Sequence, residues 1–145
     1  MAIRIVLVGT GTGVGKTHVG VAVLHAFAAR GISAVGLKPI ETGLPSDDRR
    51  DRGTPDCEEL SRAGVSKGTF HVKPPRYGFA DPVSPHLAAA RSGERIDLGE
   101  VRRWVMSNSG EVTLVETAGG LFTPLGPGST NLDIALALAP AHVLL

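Results

Sequence analysis

The apolar run Ile3-Arg-Ile-Val-Leu-Val8 passes without a break into Gly9-Thr-Gly-Thr-Gly-Val-Gly-Lys-Thr17. A short β-branched run followed by a glycine-rich turn reads as a buried strand feeding a loop whose backbone N–H groups can converge on one anion. Glycines at 9, 11, 13 and 15 are expected to supply left-handed conformations there. Lys16 closes the turn with a cation able to reach β and γ phosphates, and the Thr17 hydroxyl is placed for Mg²⁺. A helix expected from Lys16 to about Arg30 adds the positive end of its dipole. This is a phosphate-binding loop, with Thr12, Gly13, Val14, Gly15, Lys16 and Thr17 as its contact residues.

The spacing is unusual in one respect. The pattern G-x-x-x-x-G-K-[ST] puts glycine at position 10, where this chain has Thr10; the first glycine is Gly9, so the loop is one residue longer. A dinucleotide fingerprint G-x-G-x-x-G is excluded by Val14 and Lys16. Gly-Lys-Thr therefore favours a nucleoside triphosphate.

At 145 residues and 42% hydrophobic content, the chain suits one domain with a real core. A net charge of +1 and 4% aromatics offer neither the basic surface nor the stacking platform that nucleic acid requires. No apolar run approaches a membrane span, and a strand pattern stands where a signal peptide would begin. Cys57 is the sole cysteine, so neither a disulfide framework nor a cysteine metal site is available. The expected location is the cytoplasm.

Strand and helix patterns alternate along the chain, which predicts a three-layer α/β fold with a parallel sheet and helices on both faces. The first helix carries Val19, Val23 and Phe27 at helical spacing and ends at Gly31. A strand over Ala34 to Leu37 leads into Lys38-Pro-Ile-Glu-Thr-Gly43. Leu44 to Pro55 reads as an exposed mobile loop, followed by a helix from Pro55 or Asp56 to Gly64. A short strand is expected around Thr69 to Val72, then a loop marked by Pro74, Pro75 and Gly78. Helices are expected near Leu87 to Arg91 and Leu98 to Met106, a strand over Val112 to Val115, a loop from Thr117 to Ser129 and a helix over Asn131 to Leu138. A last strand begins at His142.

Three residues join the loop at the sheet's carboxyl edge, where ligands of open α/β sheets bind. Lys38 reads either as a solvated lysine or as a fixed cation beside transferring phosphoryl oxygens. Asp56 reads as a Mg²⁺ ligand or as a helix N-cap. Glu116 closes an apolar strand, which is costly unless a cation or hydrogen bonds meet it.

Gly9 to Thr17, Lys38-Pro-Ile-Glu-Thr-Gly43, Asp81-Pro-Val-Ser-Pro-His86 and Val115-Glu-Thr-Ala-Gly-Gly-Leu-Phe-Thr-Pro-Leu125 occur in this order. Together they resemble dethiobiotin synthetase, a P-loop nucleoside triphosphate hydrolase-type fold. The resemblance covers nearly all of the chain but only the N-terminal, larger part of the family's fold, so it implies a C-terminally truncated form with the sheet incomplete after His142.

The resemblance implies an ATP- and Mg²⁺-dependent cyclo-ligase closing a ureido ring on 7,8-diaminononanoate with CO₂ or bicarbonate. Lys16 and Lys38 would stabilise phosphoryl transfer, and Thr17, Asp56 and Glu116 would hold Mg²⁺. Thr42 and Ser84 would contact the diamine or its carbamate, with backbone near Gly119 close to the reacting end and His86 capping or packing. It also implies a homodimer in the full-length form. Gly11 stands where the family usually has Asp, and Thr117 where it usually has glycine; a β-branched residue at positive φ would displace Gly119 and Gly120. Rival readings are a corrin-ring amidoligase domain, a partitioning-type nucleotide-switch ATPase and an inactive nucleotide-binding fragment.

Overall fold

The computed structural model describes residues 2–46, 53–64 and 71–145. Four parallel strands make the central sheet: β1 (Ile3–Leu7), β2 (Ala34–Leu37), β5 (Val112–Glu116) and β8 (His142–Leu144), in the order β2-β5-β1-β8. Alternation along β1 divides the core. Ile5 and Leu7 face one side, with Leu24 of α1 (Lys16–Ala28) and Leu60 of α2 (Asp56–Ala63). Val6 and Val8 face the other, with Ala88 of α3 (Pro85–Arg91), Val105 of α4 (Leu98–Asn108) and Ile134 of α5 (Asn131–Ala137). Helices thus cover both faces, as the alternating pattern predicts.

The buried stripe of α1 is Lys16, Gly20 and Leu24, whereas Val19 is 45% exposed. Val23 and Phe27 are partly buried and pack against the core as their spacing implies, while Val19 does not, because the helix approaches the sheet along its glycine. A Cβ on Gly20 would lie 2.9 Å from Leu60 Cδ2, and one on Gly36 of β2 would lie 2.6 Å from both Leu24 Cδ1 and the Leu60 carbonyl oxygen. Since that oxygen is backbone and cannot swing aside, Gly36→Ala is expected to cost about 3 kcal/mol by overpacking. The measurement is the urea unfolding midpoint, and an unchanged midpoint would contradict this packing.

Two small sheets lie outside the main one. β3 (Ile40–Thr42) pairs in parallel with β4 (Tyr77–Phe79), and β6 (Pro124–Gly126) pairs with β7 (Ser129–Thr130). The strand expected around Thr69 to Val72 is not found at His71 and Val72, which are in neither helix nor strand, while residues 65–70 lie outside the described residues. The strand falls instead on Tyr77 to Phe79. Both aromatics are buried, and Gly78 between them lets Leu44 approach, so the residue that reads as a turn marker is a close-packing position. Of the expected mobile loop, residues 47–52 also lie outside the described residues; Pro45, Gly53 and Thr54 are exposed. Among the described residues no helix is long and apolar enough to cross a membrane.

Candidate functional site

The registers of the parallel strands set the site. Leu7 pairs with Glu116 and Leu37 with Val115, so the phosphate loop after β1, Lys38 after β2 and Glu116 ending β5 meet at one carboxyl edge. A cleft of about 350 Å³ opens there, lined by Thr12, Gly13, Gly15, Lys16, Thr17 and His18 on the loop side. Lys38, Asp56, Glu116 and Gly119 line it opposite.

Within the loop only Gly13 and Gly15 take positive φ, 72° and 99°; Gly9 and Gly11 do not. Gly9 is needed for room instead, since a Cβ there would lie 3.0 Å from Val14 Cγ2 and 3.1 Å from Lys16 Cδ. At Gly11 a Cβ would meet nothing within 4 Å, so the absence of the family's usual Asp reflects no steric demand. The N-terminus of α1 has no side-chain cap and no acidic residue in its first turn, which leaves its N–H groups for an anion. Val14 points elsewhere, into a groove shared with Val19, Leu144 and Leu145.

A charged network floors the cleft. Lys38 Nζ donates to Asp56 Oδ2 and, at 2.8 Å, to Glu116 Oε1, which also accepts from Thr17 Oγ1 at 2.9 Å. Lys38 and Glu116 are buried, whereas the Asp56 side chain is 41% exposed. Burial works against charge on Lys38, but the Glu116 and Asp56 carboxylates outweigh it and hold the ammonium above its usual range. Burial pushes the Glu116 carboxyl up, against the pull of Lys38. Lys16, donating to the Gly11 carbonyl at 2.7 Å, is lowered by burial, with Glu116 opposing. The solvated-lysine reading of Lys38 is thereby excluded.

Asp56 does not cap α2. Pro55 occupies the N-cap, and the capping acceptor is Glu41 of β3, whose Oε1 takes the Asp56 N–H at 2.6 Å and Oε2 the Cys57 N–H at 3.1 Å. Nothing local announces this, because Glu41 reaches a helix that starts well after it in sequence. Glu41→Ala removes two charge-assisted hydrogen bonds and loosens the residue that carries Asp56; a stability loss of about 2 kcal/mol is expected in denaturant titration. Burial and Glu41 push the Cys57 thiol up to about 12, which disfavours the thiolate.

Thr117 is not in the left-handed region. Its N–H and Oγ1 both donate to the Leu7 carbonyl, at 3.0 and 3.2 Å, and the positive φ of the turn falls on Gly119 at 77°. The displacement expected from a β-branched residue therefore does not arise. Thr42 ends β3 half-buried and Ser84 is the N-cap of α3; neither lines the cleft. His86 is exposed on α3 and does not pack in the core. His18 also lines the cleft, and its one signal in the sequence is that it follows Thr17.

Mg²⁺ favours oxygen ligands and retains waters. Thr17, Asp56 and Glu116 present such oxygens, and Glu116 Oε2 is buried with no hydrogen-bond partner, so the donor set fits that ion. Among the described residues no three His, Cys, Asp or Glu gather into an all-protein metal cage.

A parallel sheet with a glycine-rich loop and Lys-Thr opening a helix defines a P-loop nucleotide-binding fold. The model of the family described as "AAA domain" matches residues 4–145, and the chain belongs to that family. More particularly, it is 39% identical over 140 residues to the "ATP-dependent dethiobiotin synthetase BioD" of Nitrosospira multiformis, covering 94% of this chain and 58% of that protein. Proteins of the same name from Anaeromyxobacter sp. (strain K) and Caulobacter vibrioides (strain NA1000 / CB15N) are 41% and 36% identical, with 90% of this chain covered in each case and 56% and 59% of theirs. The chain thus spans somewhat over half the length of these curated relatives.

Proposed function

We propose that this chain carries the nucleotide and phosphoryl-transfer site of an ATP- and Mg²⁺-dependent dethiobiotin synthetase. The observation that supports this most is the meeting of Lys16, Thr17, Lys38, Asp56, Glu116 and Gly119 around one cleft, in a chain similar to proteins of that name. In this reading one amine of 7,8-diaminononanoate combines with CO₂ to give a carbamate. A carbamate oxygen attacks the γ phosphorus, the bond to the β-phosphate oxygen breaks, and ADP leaves. The second amine then attacks the carbonyl carbon of the carbamic-phosphoric anhydride, closing the ureido ring with loss of a proton and phosphate.

The residues present suit this chemistry. A carbamate oxygen is already nucleophilic, so positioning and charge neutralisation suffice and no Ser-His pair is required. Lys16 and the open N-terminus of α1 hold the phosphates, and Lys38 neutralises charge that develops on the transferring group. Thr17, Asp56 and Glu116 would hold Mg²⁺, which when bound screens the phosphate oxygens. Thr42 and Ser84, which lie outside the cleft, would meet the diamine as the resemblance implies, and a homodimer would complete the substrate site.

The test is substrate dependence. Phosphate release from ATP is expected to require both diamine and bicarbonate, and Glu116→Gln to raise the Mg²⁺ concentration for half-maximal rate severalfold, because an anionic ligand becomes neutral. Rapid hydrolysis without diamine, stimulated by a protein partner, would reject this reading in favour of a nucleotide-switch ATPase.

A further inference from the structure

Asn131, the first residue of α5, is wholly buried. Both hydrogens of its amide are donated to the loop that follows β5, to the Ala118 carbonyl at 2.6 Å and the Gly120 carbonyl at 2.8 Å. Two carbonyl acceptors can be met only by the NH₂ group, so the orientation of the amide is settled. Its Oδ1 is left buried without a partner. Such an orphan is unfavourable, and it is tolerated here where the same amide meets two backbone carbonyls. Starting the helix does not require the amide, because Thr130 and Asp133 already form a capping box.

What the amide does is hold the two carbonyls that flank Gly119. A trans peptide is planar, with its N–H pointing opposite its carbonyl. In the Gly120–Leu121 peptide the consequence is visible: Gly120 O faces Asn131, and Leu121 N–H donates to the carbonyl of Gly9, the first residue of the phosphate loop, at 2.8 Å. Contact is close here, since a Cβ on Gly120 would lie 2.8 Å from the Thr10 carbonyl oxygen. In the Ala118–Gly119 peptide the same planarity turns the Gly119 N–H away from Asn131, and Gly119 lines the cleft with Lys16, Lys38 and Glu116.

We infer that Asn131 is a positioning residue that clamps residues 118–120 against the phosphate loop and directs the Gly119 N–H into the cleft as a donor to the terminal phosphate of the nucleotide. The second part rests on the nucleotide reading proposed above. The clamp does not.

Asn131→Leu in the 145-residue chain separates the two. Amide hydrogen exchange at Leu121 is expected to accelerate at least tenfold relative to Val105 in the core of α4; unchanged Leu121 exchange would overturn the clamp. Calorimetry with Mg²⁺ and either ADP or a non-hydrolysable ATP analogue is expected to show about a tenfold loss of the preference for the triphosphate, the scale of one hydrogen bond to a charged group, with ADP affinity within twofold. An intact triphosphate preference would overturn the positioning role and leave Asn131 a packing residue. If the wild type binds no nucleotide, the proposed function and the Gly119 role fail together, and exchange still decides the clamp. Should Asn131→Leu not fold, the wild-type Asn131 side-chain N–H signals decide it: exchange at least tenfold slower than a free amide supports the clamp, and free-amide exchange overturns it.

Discussion

Replacing Lys16 with alanine is expected to weaken Mg²⁺-ATP binding by about 100-fold, or ~2.7 kcal/mol. That is the scale of a strong charge-assisted hydrogen bond. The ammonium donates to the Gly11 carbonyl and burial keeps it poorly solvated, so it loses little when it exchanges that carbonyl for phosphate oxygens. Among the described residues Lys16 has no ion pair for the substitution to break, so the thermal midpoint should move little. Titration calorimetry on both forms makes the comparison, and equal affinities would remove the loop from nucleotide binding.

Lys38→Ala is expected to leave nucleotide affinity within about threefold and to lower the rate of phosphoryl transfer by roughly 100- to 1000-fold, the usual cost of removing a group that acts on charge developed in the transition state. Single-turnover measurement separates the two quantities. The same substitution strands a nearly wholly buried carboxylate, and breaking a buried pair costs about 3–5 kcal/mol. The sign of its pH dependence follows. Glu116 already lies above the usual carboxylate range, through burial first, and losing Lys38 raises it further. A carboxyl with a folded-state pKa above its unfolded value binds more protons when folded, so the variant is most stable in acid and loses stability as pH rises through that folded-state value. Adding Glu116→Gln removes the stranded charge; the double variant should recover stability without recovering turnover. Recovery of both would show that Lys38 serves the fold alone.

How much of this was legible before the fold differs from residue to residue. The strand-loop-helix unit from Ile3 through Lys16, the lysine after β2 and the glutamate ending β5 were all readable, because each is a local pattern: an apolar β-branched run, a glycine-rich turn, a charge at a strand's end. The final helix from Asn131 was readable for the same reason. The short strands β3, β4 and β6 were not. Their residues sit among prolines and glycines, and what makes them strands is pairing across Ile40↔Tyr77 and Pro124↔Thr130.

The site shows the same division. Sequence by itself determined which groups are available at the carboxyl ends of the strands: the loop backbone, Lys16, Thr17, Lys38 and Glu116. Only the tertiary structure decided that Lys38 bonds to both Glu116 and Asp56, that Glu41 and not Asp56 caps α2, that two of the four loop glycines carry positive φ while Gly9 supplies space, and that Asn131 holds the Gly119 turn. The reason is physical. A strand's character follows from its own side chains, but its neighbour and register follow from which faces two distant segments can bury together, and a one-residue slip in Leu37↔Val115 would move Lys38 away from Glu116.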